Sequence, residues 1–243
     1  MKISELFYSI QGEGKRAGIP SFFIRTNYCN LRCKFKSGNL CDTAYTSWDP
    51  EDKKNLGEVE IKFILDEYEK VNCRDAVITG GEPTMYSNEL TILCKKLKKA
   101  NKDSFITIET NGTFIGEFIN YTDLISISPK LKSSVPFNTP QEKLHERNRL
   151  NLKVLRNYDS LHRAGKFDIQ WKFVFTSEKD IEEIKNIQSE TGFNDENVYL
   201  MPEGISEKDL KKTRPETVKA CLKNNYNYSD RLHILIWGNK RGV

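Results

Sequence analysis

Residues 20–43 have the sequence PSFFIRTNYCNLRCKFKSGNLCDT, which places three cysteines directly after a strand-like run. The run 20–26 is rich in aromatic and β-branched residues, and this favours a β-strand. Cys29, Cys33 and Cys41 follow at two unequal spacings and make up half of the six cysteines in the chain. We expect a loop over residues 27–48 in which the three thiols converge on one metal centre, with Gly38 and Asn39 as turn residues that bring Cys41 back.

The chemistry of three thiolates limits what this loop can hold. Thiolates prefer soft metals, namely zinc, copper(I) or the iron of iron–sulfur clusters. A closed zinc site requires a fourth protein ligand, and the three histidines, His145, His162 and His233, lie far away in the sequence. An iron–sulfur cube with three cysteine ligands would leave one iron open for a small molecule. A non-catalytic module stabilised by zinc stays open as the alternative.

Short strand patterns alternate with helical patterns along the whole chain. The predicted strands are 20–26, 75–81, 104–110, 124–130, 169–176, 198–202 and 232–238. Such alternation predicts an α/β fold with a mostly parallel sheet, here a partial barrel of about six units, a (βα)6-type barrel. Without a linker or internal repeat, residues 1–243 are expected to form a single domain, with residues 231–243 as a C-terminal strand and tail. Functional residues should lie where the parallel strands end.

Helical periodicity and start signals predict the intervening helices. Apolar residues recur at helical spacing in residues 61–68 and 90–97. Ser177 with Asp180, and Ser206 with Asp209, are typical of helix starts. Pro215 is expected to open a second short helix after the one that begins near Ser206.

Composition argues against several classes of protein. The 38 Lys and Arg against 34 Asp and Glu give a net charge of only +4, so the lysines near residues 95–99 are interpreted as a solvated helix face and no direct nucleic-acid binding is expected. The N-terminus is too short and too polar for a signal peptide, and no apolar run reaches membrane-spanning length. We expect a cytoplasmic protein without membrane contact, in which Cys73, Cys94 and Cys221 are small apolar residues of the core.

The three-cysteine loop, followed by GGEP after the second strand, resembles the radical S-adenosylmethionine (SAM) enzymes. Within them, SIQGEGKRAGIPSFFIRTNYCNLRC followed by CDT looks like the 7-carboxy-7-deazaguanine synthase family, and TGGEP, ETNGT, SPK and LHILIWGNKRGV also fit. The resemblance covers nearly the whole chain. One departure is the spacing of seven residues between the second and third cysteines, where the usual radical SAM loop has two.

The resemblance implies a lyase with a modified cluster-binding loop. The implied reaction is the ring contraction of 6-carboxy-5,6,7,8-tetrahydropterin to 7-carboxy-7-deazaguanine with loss of ammonia, in queuosine and related 7-deazapurine biosynthesis. The implied cofactors are a [4Fe–4S] cluster, SAM and Mg²⁺, and the implied partners are a flavodoxin or ferredoxin as electron donor and a second copy in a homodimer. An activase that makes a glycyl radical on a partner protein shares the cluster loop, but typically has a DGPG-like turn where this chain has QGEG.

The resemblance also assigns roles to individual residues. Cluster ligands are Cys29, Cys33 and Cys41, and the Mg²⁺ ligand is Thr43. SAM contacts are implied for Leu40, Cys41, Asp42, Gly80, Gly81, Glu82, Glu109, Asn111, Ser128, Pro129, Lys130, Leu200, Met201, Pro202 and Glu203. Substrate contacts are implied for Ile10, Gln11, Gly12, Glu13, Arg25, Thr79 and Val243, with Arg25 as the clamp for a carboxylate. Two assignments stay open: Glu82 binds the SAM ammonium or only orders its loop, and His233 is near the site or, the favoured interpretation, is a satisfied core histidine.

Overall fold

A computed structural model describes residues 1–243 and shows a nine-stranded sheet surrounded by helices. The strands are β1 (Lys2–Ile10), β2 (Pro20–Thr26), β3 (Gly57–Glu58), β4 (Asp75–Gly80), β5 (Phe105–Thr110), β6 (Leu124–Ile127), β7 (Asp168–Phe175), β8 (Val198–Pro202) and β9 (Asn227–Tyr228). The helices are α1 (Ile61–Lys70), α2 (Ser87–Ala100), α3 (Glu142–Asn148), α4 (Leu152–Arg163), α5 (Glu178–Thr191), α6 (Glu207–Asn224) and α7 (Leu232–Trp237).

The strand order is β3-β1-β2-β4-β5-β6-β7-β8-β9. All pairs from β2 to β9 are parallel, whereas β1 is antiparallel to both β2 and β3. Six longer parallel strands, β2 and β4 to β8, carry the barrel, and the sheet does not close on itself. This confirms the predicted partial α/β barrel with a mostly parallel sheet.

Six of the seven predicted strands are present, and the seventh prediction is wrong. Residues 232–238 were expected as a strand, but Leu232–Trp237 form the helix α7. Only Ile234 is fully buried there, while Leu235, Ile236 and Trp237 are exposed. A short apolar run has no clear period, so its sequence cannot separate a strand from one helical turn.

Two further elements differ from the sequence analysis. Pro215 does not open a new helix, because α6 continues through it from Glu207 to Asn224. The cost of an internal proline, roughly 3 kcal/mol, is offset by burial of Leu210, Thr217, Ala220 and Cys221 on one face of this helix. β1 was not predicted as a strand, since the pairing register shifts between Ile3 and Glu5 and interrupts the alternation of apolar residues.

The core lies between the sheet and the helices and contains 35 buried apolar residues. Its largest member, Trp171 of β7, stacks on Phe193 with ring centroids 4.3 Å apart. Cys73, Cys94 and Cys221 belong to this core, which confirms their interpretation as small apolar residues. No helix has the length and apolar character needed to cross a membrane. This core does not cover the carboxyl ends of the parallel strands, which line a cavity.

Candidate active site

A cavity of about 680 Å³ lies at the carboxyl ends of the parallel strands. Its walls come from the cysteine loop, from β1 and β2, from the ends of β4 to β8, and from residues 239–243. The location agrees with the rule for parallel α/β sheets, in which the functional loops follow the strands.

The three loop cysteines all line this cavity, as predicted. Burial raises the pKa of the Cys41 thiol to about 12 and also raises the pKa of Cys29 and Cys33. The thiols are therefore neutral unless a cationic centre binds and stabilises the thiolates. A centre that binds all three thiolates would have to supply this stabilisation.

Side chains from neighbouring strand ends hold the first part of the cysteine loop. The Asn111 amide donates to Oδ1 of Asn30 at 2.9 Å, and the Asn30 amide donates to the Thr113 hydroxyl at 3.1 Å. Farther along the loop, the backbone N–H of Arg32 donates to Nδ1 of His145 at 3.1 Å. The loop is thus held by residues that follow β5 and by His145 of α3. Asn111, which was predicted to contact SAM, therefore also holds the cysteine loop in place.

The paired glycines after β4 allow two backbone segments to approach closely. A Cβ on Gly80, which has φ +133°, would clash with the backbone of Thr26, and a Cβ on Gly81 would clash with the carbonyl of Tyr28. Backbone N–H groups complete this contact, from Gly81 to Thr26 O at 3.0 Å and from Glu82 to Tyr28 O at 2.8 Å. Both glycines line the cavity, so they seat the cysteine loop in addition to any role toward a ligand.

The carboxylate of Glu82 orders its own loop. It is fully buried and accepts hydrogen bonds from the Thr84 N–H at 3.1 Å, the Thr84 hydroxyl at 2.5 Å, the Thr110 hydroxyl at 2.6 Å and the Asn111 N–H at 2.6 Å. Because both oxygens accept hydrogen bonds from the protein and the residue does not line the cavity, the geometry favours the loop-ordering role, and the contact with a SAM ammonium stays a prediction.

A buried ion-pair network forms one polar wall of the cavity. Nζ of Lys172 lies 2.5 Å from Glu13 and 3.3 Å from Glu109. Glu109 also accepts from the Gln11 amide at 3.3 Å and from the Thr79 hydroxyl at 2.8 Å. Burial raises the pKa of Glu13, but Lys172 and other nearby cations lower it to about 2. The wall therefore presents fixed charges at neutral pH.

Arg231 joins this wall to the cysteine loop. Its Nε pairs with Glu13 at 3.2 Å, its Nη1 donates to the carbonyl of Gly204, and its Nη2 pairs with Asp42. Glu13, Asp42 and His233 offer ligand atoms within 4.8 Å of one another, yet the guanidinium already neutralises both carboxylates. His233 lines the cavity, and no hydrogen bond fixes its ring, so the favoured interpretation as a satisfied core histidine is wrong.

Arg25 points part of its guanidinium into the cavity. Its Nε donates to Oε1 of Glu5 at 2.6 Å, and its two Nη groups make no hydrogen bond within the protein. The Tyr45 hydroxyl donates to the same Glu5 oxygen at 2.6 Å, and Arg241 reaches the other oxygen at 3.3 Å. The arrangement leaves the fork of Arg25 available for an anionic ligand.

Other predicted residues occupy the remaining cavity wall. Nζ of Lys130 donates to the Ser128 hydroxyl at 2.8 Å, and Oγ1 of Thr43 lies 3.4 Å from Sγ of Cys41. Ile10, Gly12, Leu40, Met201, Glu203 and Val243 also line the cavity.

Four of the predicted contact residues do not line the cavity, namely Glu82, Pro129, Leu200 and Pro202. Leu200 is fully buried in the core because alternate side chains of β8 point away from the cavity. Ser128 and Met201 occupy the wall next to Pro129 and Pro202, whose contacts with SAM stay predictions.

Sequence analysis missed Glu5, Lys172, Arg231 and Arg241, all of which line the cavity. Lys172 had a detectable signal, because it is the only charged residue in the predicted strand 169–176. The other three have no local pattern that separates them from surface charges.

The sequence of this chain was compared with those of known protein families and relatives. The sequence profile of the Radical SAM superfamily matches residues 23–186. The 7-carboxy-7-deazaguanine synthase of Halobacterium salinarum is 36% identical over 98% of this chain and 90% of its own length. The 7-carboxy-7-deazaguanine synthase of Rhodopirellula baltica is 36% identical over 99% of this chain and 88% of its own length.

Solved structures show the same fold at lower identity. QueE from Escherichia coli superposes with a TM-score of 0.67, at 22% identity, over 96% of this chain and 94% of that one. The enzyme anSMEcpe with bound AdoMet superposes with a TM-score of 0.51, at 17% identity, over 86% of this chain and 64% of that one.

Proposed function

This chain belongs to the 7-carboxy-7-deazaguanine synthases of the radical SAM superfamily, and on that premise we propose how its residues perform the reaction. The enzyme is a lyase that contracts the ring of 6-carboxy-5,6,7,8-tetrahydropterin to 7-carboxy-7-deazaguanine, with loss of ammonia. Neither the glycyl-radical activase nor the zinc-stabilised module has an observation in its favour.

Cys29, Cys33 and Cys41 would hold the [4Fe–4S] cluster. When bound, the cluster and SAM supply the 5′-deoxyadenosyl radical that removes hydrogen from C6 of the substrate. Support comes from the position of the three thiols on one cavity. Gly80, Asn111, Ser128, Lys130 and the ends of β5 and β8 form the wall where SAM would bind.

The pterin would lie against the charged wall. Arg25 would bind its carboxylate, because the Nη groups of Arg25 have no protein partner and a guanidinium pairs with a carboxylate in fork geometry. Glu13, Lys172 and Glu109 would position the ring, since a reduced pterin offers both N–H donors and a carbonyl acceptor to fixed charges. Because these charged side chains are already held in place by their ion pairs, they would not have to move when the pterin binds. The pterin would therefore bind with C6 in a defined orientation for the removal of hydrogen.

Thr43 would provide the one protein ligand to Mg²⁺. Its hydroxyl lies next to Cys41 at the cavity wall, and Mg²⁺ takes oxygen ligands while keeping several non-protein ones. The acidic group of Glu13 and Asp42 is a poorer candidate, because Arg231 pairs with both carboxylates.

The whole chain would act as one radical SAM domain in a cytoplasmic homodimer. The exposed apolar side chains of α7, Leu235, Ile236 and Trp237, support a contact with a second copy. The six free cysteines agree with a reducing compartment. A flavodoxin or ferredoxin would supply electrons, since the three cysteines outside the loop are buried separately in the core and form no second cluster site.

The observation that carries this function is one cavity that contains the three cysteines together with Arg25 and the Glu13–Lys172–Glu109 network. The test is anaerobic purification and reconstitution, followed by iron and sulfide assay and by incubation with SAM, reductant and the pterin. We expect about four irons per chain and formation of 7-carboxy-7-deazaguanine. A colourless protein with one tightly bound zinc and no turnover would contradict the proposal.

A further inference from the structure

The seven residues between Cys33 and Cys41 form a small hairpin. Lys34 and Leu40 pair as an antiparallel bridge, and the N–H of Phe35 donates to the carbonyl of Asn39 at 2.9 Å. At the base of the hairpin, the N–H of Cys41 donates to the carbonyl of Cys33 at 3.3 Å. The two cysteines are therefore held together at the base, and the additional residues project away from them.

The tip of the hairpin is fastened to the far end of the sheet. The Ser37 hydroxyl and the Asn39 amide donate to Oε1 of Glu203, at 3.1 and 2.9 Å. Glu203 follows β8, is only 6% exposed, and has its backbone N–H bound to Phe175 O at 3.1 Å. We call this pair of hydrogen bonds on Glu203 the hairpin latch.

The latched hairpin forms a wall of the cavity. Phe35, Gly38, Asn39 and Leu40 line it from the hairpin, and Met201 and Glu203 line it from the end of β8. Both latch donors use Oε1, so Oε2 of Glu203 accepts no hydrogen bond from the protein although the residue is more than nine-tenths buried. Because Glu203 lines the cavity, its Oε2 remains available as an acceptor for a ligand bound there.

We propose that the hairpin latch positions the wall that encloses the adenosine of SAM, with Oε2 of Glu203 as acceptor for an adenosine N–H or O–H donor. The inference rests on the proposed function, because it requires SAM in this cavity. Ser37 and Asn39 are positioning residues, which act through Glu203 and the hairpin. The seven residues between Cys33 and Cys41 supply both donors of the latch.

The test compares the Ser37→Ala/Asn39→Ala double variant with Lys36→Ala, a control on the exposed tip of the same hairpin whose side chain makes no hydrogen bond. Each reconstituted protein is assayed for iron and sulfide, for the Kd of SAM by equilibrium dialysis, and for the KM of the pterin. Hydrogen exchange of residues 33–41 is measured with and without SAM. We expect the double variant to keep its cluster and its pterin KM, to bind SAM about tenfold more weakly, and to exchange faster until SAM is added.

Three results would overturn the inference in different ways. If the parent protein binds SAM and the double variant binds it equally well, the latch has no positioning role, and the proposed function stands. If the parent itself shows no saturable SAM binding, the proposed function fails and the inference fails with it. Loss of cluster from the double variant but not from Lys36→Ala would make the latch part of the cluster scaffold and would also contradict the proposal.

Discussion

Glu5 accepts a hydrogen bond from Nε of Arg25 at 2.6 Å, and this contact sets the direction of the guanidinium. The same carboxylate is held by the Tyr45 hydroxyl at 2.6 Å and by Arg241 at 3.3 Å. With Nε engaged, the Nη groups are the part of Arg25 that remains for a ligand. The orientation of the proposed carboxylate clamp therefore depends on a residue that would not itself touch the substrate.

Replacing Arg25 by alanine is expected to weaken use of the pterin much more than binding of SAM. Truncating one partner of a buried charge pair costs on the order of 2–5 kcal/mol, which corresponds to a loss of kcat/KM of roughly thirtyfold or more. Steady-state kinetics in the pterin and a SAM binding assay separate the two effects. Arg156→Ala is the control, because Arg156 forms an exposed ion pair with Glu190 outside the cavity. An unchanged pterin KM in Arg25→Ala would contradict the clamp.

The Glu5→Gln variant should show a smaller loss in the same direction, because an amide oxygen can still accept one hydrogen bond from Arg25 or Tyr45. We expect a raised pterin KM with an unchanged Kd for SAM. If Glu5→Gln and Arg25→Ala are combined, the loss should be smaller than the product of the single losses, since the two residues act as one unit. Fully multiplicative losses would mean that Glu5 acts independently of Arg25.

Alanine substitutions should divide the six cysteines into two groups. Cys29→Ala, Cys33→Ala and Cys41→Ala are expected to lose the cluster and the cleavage of SAM, because each thiol lines the cavity. Cys94→Ala is the matched control, since Cys94 is fully buried in the core away from the cavity. Iron and sulfide content and the visible spectrum report the result. Full activity of Cys41→Ala would show that the ligand set is wrong.

Thr43→Ala is expected to keep its cluster and bind SAM, but to lose most of its stimulation by Mg²⁺. Thr43→Ser should retain much of the stimulation, because the proposed ligand oxygen remains. An orientation error of about an ångström can reduce the rate by roughly a hundredfold. Turnover with and without Mg²⁺ in the parent and both variants is the measurement. An alanine variant that responds to Mg²⁺ like the parent would assign the ion to another site.

His145 links the cysteine loop to α3 in its neutral form. Its Nδ1 accepts the Arg32 N–H at 3.1 Å, and its Nε2 lies 3.3 Å from the Ser134 hydroxyl. Burial, together with the charges of Arg149 and Lys130, lowers its pKa to about 4, and Glu146 opposes this shift. A proton on Nδ1 would replace the accepted hydrogen bond with repulsion against the Arg32 N–H.

The stability contributed by neutral His145 should be fully present above pH 6.5, the ordinary pKa of histidine, and should decrease as the pH falls toward 4. Below pH 6.5 the unfolded chain takes up the proton first, so acid favours unfolding. The loss is at most about 3 kcal/mol, because one pKa unit corresponds to about 1.4 kcal/mol. Denaturant unfolding of the cluster-free protein between pH 7.5 and 4 measures it. His145→Gln should show a flatter pH dependence, and an equally steep one would assign the effect to other groups.

The sequence predicted those parts of the fold that have a local signal. Six parallel strands and the helix starts at Ser177 and Ser206 have periodicity or capping patterns that do not depend on distant contacts. The predictions for residues 232–238 and for Pro215 were wrong, because a short apolar run does not separate a strand from a helical turn and because the burial of one face carries α6 through its proline.

The residues of the candidate site also divide into those that the sequence predicted and those that it did not. The cysteines and the glycine pair could be found from motif and spacing, whereas Arg231 and Arg241 could not. Each of these arginines contributes through partners that are distant in sequence, as in the pairs of Arg231 with Asp42 and of Arg241 with Glu5. The loop-ordering role of Glu82 is supported by four hydrogen bonds that only the folded chain reveals.

The sheet ends at each side in a strand of two residues, β3 at Gly57–Glu58 and β9 at Asn227–Tyr228. Edge strands this short expose few unpaired backbone N–H and C=O groups to another chain. A second polypeptide therefore gains little by adding a strand to β3 or β9 themselves, since each offers only two residues. If copies associate through the exposed side chains of α7 instead, a change of Leu235, Ile236 or Trp237 would separate them and leave the pairing of the strands intact.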